Sequence, residues 1–165
     1  MMNFVAIVMG SKSDYEVVSE TSKILSKFSV DYELIISSAH RSPQRTLHYI
    51  KEAEKKGAKV FIAAAGMAAH LAGFIAAHTT KPVLGVPMNS PNLASMDSLF
   101  STSQMPKGIP VATLSIGKAG AINAAYLAVQ ILALNDAKLA DALNEDRKEQ
   151  ENKLIADSKS VEKLL

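Results

Sequence analysis

The chain contains no cysteine and no tryptophan, and these two absences narrow its chemistry before any motif is considered. Without cysteine, the 165 residues can form neither a disulfide bond nor a thiolate metal site. Aromatic residues make up only 5% of the chain, which argues against a flavin held by ring stacking. The formal net charge of +2 is too small to predict a nucleic-acid surface. What remains is a soluble globular composition suited to a small-molecule substrate.

Long apolar runs and targeting signals are also missing. No run reaches the length of a membrane span, and the first residues contain neither a basic leader nor a small-residue cleavage site. We therefore expect a cytoplasmic protein with no membrane partner. The four histidines lack the spacing with carboxylates that a metal site needs, so we expect no metal. The length favours one domain over residues 1–165.

Five short apolar runs alternate with helical patterns. The runs predict strands at residues 3–9, 32–36, 59–65, 82–87 and 109–116. Alternation of strands and helices predicts an α/β fold, a three-layer αβα sandwich around a five-stranded parallel sheet with flavodoxin-like strand order.

Two of the predicted helices are apolar on almost every side. They cover residues 68–79 and 118–134, and a helix without a polar face is buried on more than one side. We therefore expect a homo-oligomer. A short helix is expected near residues 95–101, inside the long loop after the fourth strand. The last helix, about 136–156, forms a C-terminal extension, and we expect the tail 157–165 to fray.

Three polar loops follow the first three predicted strands. They are Gly10–Asp14 (GSKSD), Ser37–Pro43 (SSAHRSP) and Gly66–His70 (GMAAH). The carboxyl ends of parallel strands meet at one edge of a sheet, and ligands bind there beside the switch in strand order. We therefore expect the three loops to build one site.

The central loop carries the strongest chemistry. Pro43 is suited to the first position of a helix, with Ser42 as its cap. His40 and Arg41 would then lie beside backbone N–H groups at a helix N-terminus, which favours an anion site and proton transfer. The first loop allows a plainer interpretation, in which Ser13 or Asp14 only caps the following helix. His48 and His78 fall within or at the end of helices, and we assign them no chemistry.

Taken in order, these loops resemble the signatures of the N5-carboxyaminoimidazole ribonucleotide mutases, the class I PurE family. Further matching segments are 82–87 (PVLGVP), 97–99 (DSL), 104–110 (QMPKGIP) and 116–120 (IGKAG), so the resemblance spans about residues 4–135. Met67 and Ala72 depart from the family loop, which commonly has glycine and proline at these positions.

The resemblance implies an enzyme of de novo purine synthesis. Such an enzyme moves a carboxylate from the exocyclic nitrogen of an aminoimidazole ribonucleotide to ring carbon C4, without ATP, metal or organic cofactor, as a homo-octamer. It implies that His40 is the catalytic proton shuttle and that Ser38 and Arg41 hold phosphate. The substrate-binding residues implied are Gly10, Ser11, Ser13, Asp14, Ser38, Ala39, Arg41, Gly66, Ala69, His70 and Leu71.

Two other functions remain open at this point. The first is a carbon-dioxide-dependent carboxylase on the same fold, although the third loop here lacks the Arg-Ser-Asn typical of that branch. The second is a flavin- or nucleotide-binding module without catalysis, which would bind FMN and show no turnover.

Overall fold

The computed structural model describes residues 3–163, and its framework is a sheet of five strands. The strands are β1 (Phe4–Met9), β2 (Tyr32–Ile36), β3 (Ala58–Ala65), β4 (Val83–Pro87) and β5 (Ala112–Thr113). All pairings are parallel and the order is β2-β1-β3-β4-β5, which confirms the predicted flavodoxin-like sheet. Every residue of β1 is buried, as expected for a central strand covered on both faces.

Six α-helices occur within residues 3–163. They are α1 (Tyr15–Lys27), α2 (Pro43–Lys56), α3 (Leu71–Ala76), α4 (Met96–Ser103), α5 (Gly117–Ala133) and α6 (Ala137–Val161). The helix near residues 95–101 is therefore confirmed as α4. No helix of this part of the chain is both long and apolar enough to cross a membrane.

Helices cover both faces of the sheet. Phe4 and Val8 of β1 share one apolar cluster with Ile50 of α2 and Ile75 of α3. On the other face, the buried Thr21 hydroxyl of α1 donates to the Ala121 carbonyl of α5 at 2.9 Å. Right-handed crossovers between parallel strands produce this distribution of helices. The predicted three-layer arrangement is confirmed.

The last strand is much shorter than the predicted run 109–116. β5 pairs with β4 only at Ala112 and Thr113. Pro110 has no N–H to donate to a ladder, so the chain before Val111 cannot continue the pairing. The hydrophobic pattern alone thus overestimated the length of this strand.

Helix α3 is also shorter than the predicted 68–79. Met67 has a φ of 56°, and the N–H of His70 bonds to the Ala68 carbonyl at 2.6 Å. This tight turn holds residues 68–70 outside the helix. The loop after β3 therefore extends further along the chain than the apolar pattern predicted.

By internal packing the chain divides into two compact units between Val129 and Gln130. The second unit consists of the end of α5 and all of α6, whose first turn is capped by Asp136 through a bond from the Leu139 N–H at 3.1 Å.

Helix α6 continues past Ala156 to Val161, because residues 157–161 contain no glycine or proline to end it. The predicted helix end near residue 156 is thus too early, whereas the expected fraying of the tail stays a prediction; residues 164 and 165 lie outside the described residues. One catalytic domain over residues 1–165 stays a prediction.

Close packing at the start of α5 leads to a stability prediction. A Cβ on Gly120 would lie within 2.7 Å of the Ser115 carbonyl carbon, which is backbone and cannot move aside cheaply. Gly120→Ala should therefore lower the free energy of unfolding by about 1–3 kcal/mol or more, the cost of overpacking. Urea denaturation of the two proteins measures the difference.

Gly73→Ala is the matched control. Its added Cβ would meet the flexible Met105 side chain, with Sδ at 3.2 Å, and alanine favours a helix interior. Its free energy of unfolding should stay within about 1 kcal/mol of the parent. Equal stability of the Gly120→Ala variant and the parent would contradict the packing described here.

Candidate active site

One cavity of about 570 Å³ opens at the carboxyl ends of the first three strands. The three predicted loops converge on it, because β1, β2 and β3 are parallel neighbours. The predicted site residues that line it are Gly10, Ser11, Ser13, Asp14, Ser38, Ala39, His40, Arg41, Gly66, His70 and Leu71. Ala69 was expected among them, but it is only 2% exposed and does not line the cavity.

Arg41 connects the loops after β1 and β2. Its Nη2 donates to the Gly10 carbonyl at 2.9 Å, and its backbone N–H donates to the Ser38 hydroxyl at 3.1 Å. The guanidinium is thereby held beside the Gly10–Asp14 loop while it stays exposed to the cavity. A guanidinium held in this way offers its remaining N–H groups to an anion.

Ser42 occupies the N-cap position of α2 without capping it through its side chain. Its hydroxyl instead donates to the Ser38 carbonyl and accepts from the Ser38 N–H, both at 3.1 Å. Pro43 stands at the first helical position, as predicted. The side-chain cap inferred from sequence is thus wrong, because the hydroxyl bonds to the backbone of Ser38 in the loop and not to the first N–H groups of the helix. The first turn of α2 therefore receives no hydrogen bond from the Ser42 side chain.

The loop after β1 presents hydroxyl groups and one carboxylate. The Ser11 hydroxyl accepts from the Ser13 N–H at 3.3 Å and from the Ser13 hydroxyl at 3.0 Å. Asp14 stands at the N-cap of α1 but makes no side-chain cap bond. Burial raises the pKa of Asp14, and this outweighs the opposing effect of its hydrogen bonds to Ser13 and Ser11. Its carboxylate is therefore better placed to accept from a ligand than to stabilise the helix.

Two neighbouring imidazoles line the cavity. The ring centroids of His40 and His70 lie 5.2 Å apart, with the planes tilted by 39°. His70 also meets the Phe74 ring edge-to-face at 5.9 Å, which orients it. Two rings at this spacing can both approach one planar ligand, and either can exchange a proton with it.

The other two histidines lie outside the cavity. His78 Nδ1 lies 2.7 Å from the Phe74 carbonyl, and its ring stacks on Phe74 with centroids 4.6 Å apart. His48 is an exposed residue of α2. Within residues 3–163, no three His, Asp or Glu side chains are grouped so that they could hold a metal ion.

The cavity has six lining residues that were not predicted as site residues. They are Ala65, Met67, Ala68, Asn89, Ser90 and Pro91. The last three follow β4, whose carboxyl end lies beside that of β3 through the Ala65–Pro87 pairing. The sequence predicted a long loop after β4, but no residue at its start stood out by chemistry. The predicted position of β4 beside β3, rather than a motif, was the signal that could have located these three residues.

Met67 shows how the loop accommodates its departure from the family pattern. Its φ of 56° lies in the left-handed region, where glycine is unstrained, and its side chain is 64% exposed at the cavity. The loop therefore keeps a glycine-like backbone with a methionine side chain.

Comparison with known proteins identifies relatives over nearly the whole chain. The family model described as AIR carboxylase matches residues 4–153. The N5-carboxyaminoimidazole ribonucleotide mutase of Escherichia coli K12 is 51% identical over 151 residues, which are 92% of this chain and 89% of that protein. The mutase of Saccharolobus solfataricus is 49% identical over 152 residues, 92% of this chain and 95% of that protein. The crystal structure of Treponema denticola PurE superposes with a TM-score of 0.88 at 28% identity, and the match covers 98% of this chain and 99% of that one.

The environment of Asp14 leads to a prediction about stability and pH. A carboxyl group with a raised pKa stabilises the fold only while it is protonated, so this contribution is lost as the pH rises through the folded-state pKa. Asp14→Asn carries no charge at any pH and escapes that loss. The variant should be as stable as the parent or more so at neutral pH. This advantage should shrink as the pH falls towards 3.8, the pKa of an unperturbed aspartate. Thermal unfolding across this pH range measures it.

Binding of the ribonucleotide separates the two interpretations of Asp14. If the carboxylate accepts hydrogen bonds from the ligand, Asp14→Asn should weaken binding in calorimetry while the protein stays folded. A variant that lost stability at neutral pH and kept its affinity would show that Asp14 serves the helix instead.

Proposed function

This chain belongs to the AIR carboxylase family, and from that membership we infer that it converts N5-carboxyaminoimidazole ribonucleotide into 4-carboxy-5-aminoimidazole ribonucleotide. It is an isomerase, a mutase of purine biosynthesis. The observation that carries this inference is identity of about half over more than nine-tenths of the chain to proteins named for that activity. The ligand is a small ribonucleotide.

The reaction moves one carboxylate group without any change of oxidation state. The bond between the exocyclic nitrogen and the carboxylate carbon breaks, and its electron pair stays on nitrogen. The ring then behaves as an enamine, and C4 attacks the released carbon dioxide. C4 loses one proton and the nitrogen gains one. A cavity that holds both fragments together raises their effective concentration, so recombination competes with escape.

We propose the following orientation of the substrate. The phosphate lies at the loops after β1 and β2, because Arg41 supplies N–H donors there and α2, whose N-terminus favours an anion, begins two residues further on. Ser38 adds a contact to the phosphate, while Ser11, Ser13 and Asp14 hold the ribose. The imidazole ring lies against Gly66, His70 and Leu71 of the loop after β3, with Ala39 and Gly10 completing the cavity. Ala69 is left out of this proposal because it is buried.

His40 is the residue that we propose as proton carrier. It lies in the cavity between the phosphate end and the loop after β3, 5.2 Å from His70 between ring centroids. In this position it can donate the proton that nitrogen gains when the carbamate bond breaks and then accept the proton that C4 loses. We also propose that the enzyme works as a cytoplasmic homo-octamer without ATP or another cofactor. Exposed apolar side chains such as Phe100 and Leu134 support an assembly.

Turnover with the two candidate substrates tests the function. With ATP omitted, the protein should convert the carbamate ribonucleotide into its C4-carboxy isomer, measured by chromatography of the products. A higher rate with aminoimidazole ribonucleotide plus bicarbonate would identify a carboxylase instead. Binding of FMN without any turnover would favour the non-catalytic module.

Substitution of the two neighbouring histidines tests the mechanism. His40→Asn keeps the approximate size but cannot relay a proton at neutral pH, so kcat should fall by at least about 10²-fold. Calorimetry should show that this variant still binds the ribonucleotide. His70→Asn is the matched control and should lose less. Near-full turnover of His40→Asn, or a larger loss in His70→Asn, would make the assignment of His40 wrong.

A further inference from the structure

The loop after β4 forms the wall of the cavity beside the proposed imidazole end. Asn89, Ser90 and Pro91 line this wall. The Met88 N–H bonds to the Ala65 carbonyl at 2.9 Å, and a Cβ on Gly66 would lie 3.8 Å from the Asn89 carbonyl oxygen. The wall therefore adjoins the loop after β3, whereas Arg41 bonds to Gly10 on the far side of that loop. We call residues 89–91 the β4 wall.

Ser90 attaches the β4 wall to helix α4. It is only 5% exposed, and its hydroxyl donates to Asp97 Oδ2 at 3.0 Å. The longer contact of the same hydroxyl, to the Asn92 carbonyl, is 3.3 Å. Asp97 is the second residue of α4, where the positive end of the helix favours its charge. The charged acceptor and the shorter distance make Asp97 the principal partner.

Ser95 and Ser98 fix α4 relative to the same loop. The Ser95 hydroxyl accepts from the Ser90 N–H at 3.0 Å. The fully buried Ser98 hydroxyl donates to the Met88 carbonyl at 2.8 Å. Hydrogen bonds from α4 thus reach the residues on both sides of Asn89. Helix α4 therefore fixes the position of the β4 wall.

The connection between the wall and α4 is conformationally strained. Leu93, Ala94 and Ser95 have φ values of 55°, 47° and 66°, three successive L-residues in the left-handed region. Such a run costs free energy and persists only where its surroundings hold it. Leu93 is 74% exposed, so its side chain packing does not supply that hold. The hydrogen bonds that Ser90, Ser95 and Ser98 make with this loop restrain the run instead.

Asp97 is poorly explained as a residue that only stabilises the fold. Among the described residues, its Oδ1 is buried and has no hydrogen-bond partner. An unsatisfied buried oxygen lowers stability. The contribution of this carboxylate therefore lies in the bond that Oδ2 accepts from Ser90.

We propose that Asp97 is a positioning residue that acts through Ser90 to hold the β4 wall, and that this wall retains carbon dioxide between the two steps of the reaction. The inference rests on the proposed function. When the carbamate N–C bond breaks, carbon dioxide is an uncharged molecule that no ion pair can hold. It stays beside C4 only if the cavity walls leave it no exit. A displaced wall would let it escape before the C4–C bond forms, leaving aminoimidazole ribonucleotide as the released product.

The experiment follows the labelled carboxylate carbon. The substrate carries ¹³C in the carbamate, the buffer contains unlabelled bicarbonate, and the enzyme-free decomposition rate is subtracted. Asp97→Ala should release at least about tenfold more aminoimidazole ribonucleotide per product molecule than the parent, since a small displacement in a site has effects of this size or larger. Its product should also retain less ¹³C. KM should change little, because the loops proposed for phosphate and ribose are untouched.

Two further variants separate positioning from general destabilisation. Asp97→Asn keeps an oxygen that can accept from Ser90, so it should restore much of the retention. Asp136→Ala is the matched control, since Asp136 is likewise an acceptor at the start of a helix, bonded to the Leu139 N–H at 3.1 Å. It should release no more aminoimidazole ribonucleotide than the parent.

The outcomes are distinguishable. If the parent converts the carbamate and folded Asp97→Ala retains as much ¹³C as the parent, the inference is overturned and the proposed function remains intact. Equal leakage from Asp97→Ala and Asp136→Ala overturns it too, because leakage would then follow stability. If Asp97→Ala does not fold, Ser90→Ala removes the same hydrogen bond by deleting its donor. The ratio of released aminoimidazole ribonucleotide to product in this variant then tests the inference. A parent that fails to convert the carbamate overturns both the function and the inference.

Discussion

The site depends on the register in which β1 pairs with its two neighbours. Met9 lies opposite Ile36 on one side and opposite Ala64 on the other, and Ala65 in turn lies opposite Pro87. Four loops therefore leave the sheet at nearly one level. A shift of one residue in any pairing would turn a loop's side chains away from the cavity and reverse which face of the strand is buried. The apolar core of the sheet is thus what aligns the polar site.

Sequence predicted the parts of this molecule that depend on buried apolar pattern or on short-range loop chemistry. β1, β3 and the convergence of the three loops belong to this class, since each follows from residues adjacent in the chain. Sequence did not predict features that depend on a competing partner or neighbour. These are the bonding of the Ser42 hydroxyl to Ser38, the burial of Ala69 and the shortness of β5. The β4 wall was missed because Asn89 lines the cavity only through the position of β4 beside β3.

Several conformational and electrostatic costs lie at or beside the cavity, while Ser29, with a φ of 54°, is a strained residue that does not line it. Met67 and the Leu93–Ser95 run adopt left-handed backbone there, and Asp14 keeps a carboxylate where burial opposes its charge. The buried residues of β1 and β3 are nearly all apolar and adopt no left-handed backbone, although the pairing of the two strands shifts register between Phe4 and Val5. A packed core of this kind supplies the stability against which such costs at a functional site can be maintained.

The two edges of the sheet differ in their exposure to other chains. β5 pairs over only two residues and is preceded by Pro110, so it offers a visiting strand almost no ladder to extend. β2 is the longer edge, yet its Glu33 forms an ion pair with Lys56 at 2.8 Å, and a charge at that position disfavours a second strand. The short final strand, which weakens the sheet locally, thereby also protects the protein from edge-to-edge aggregation during folding.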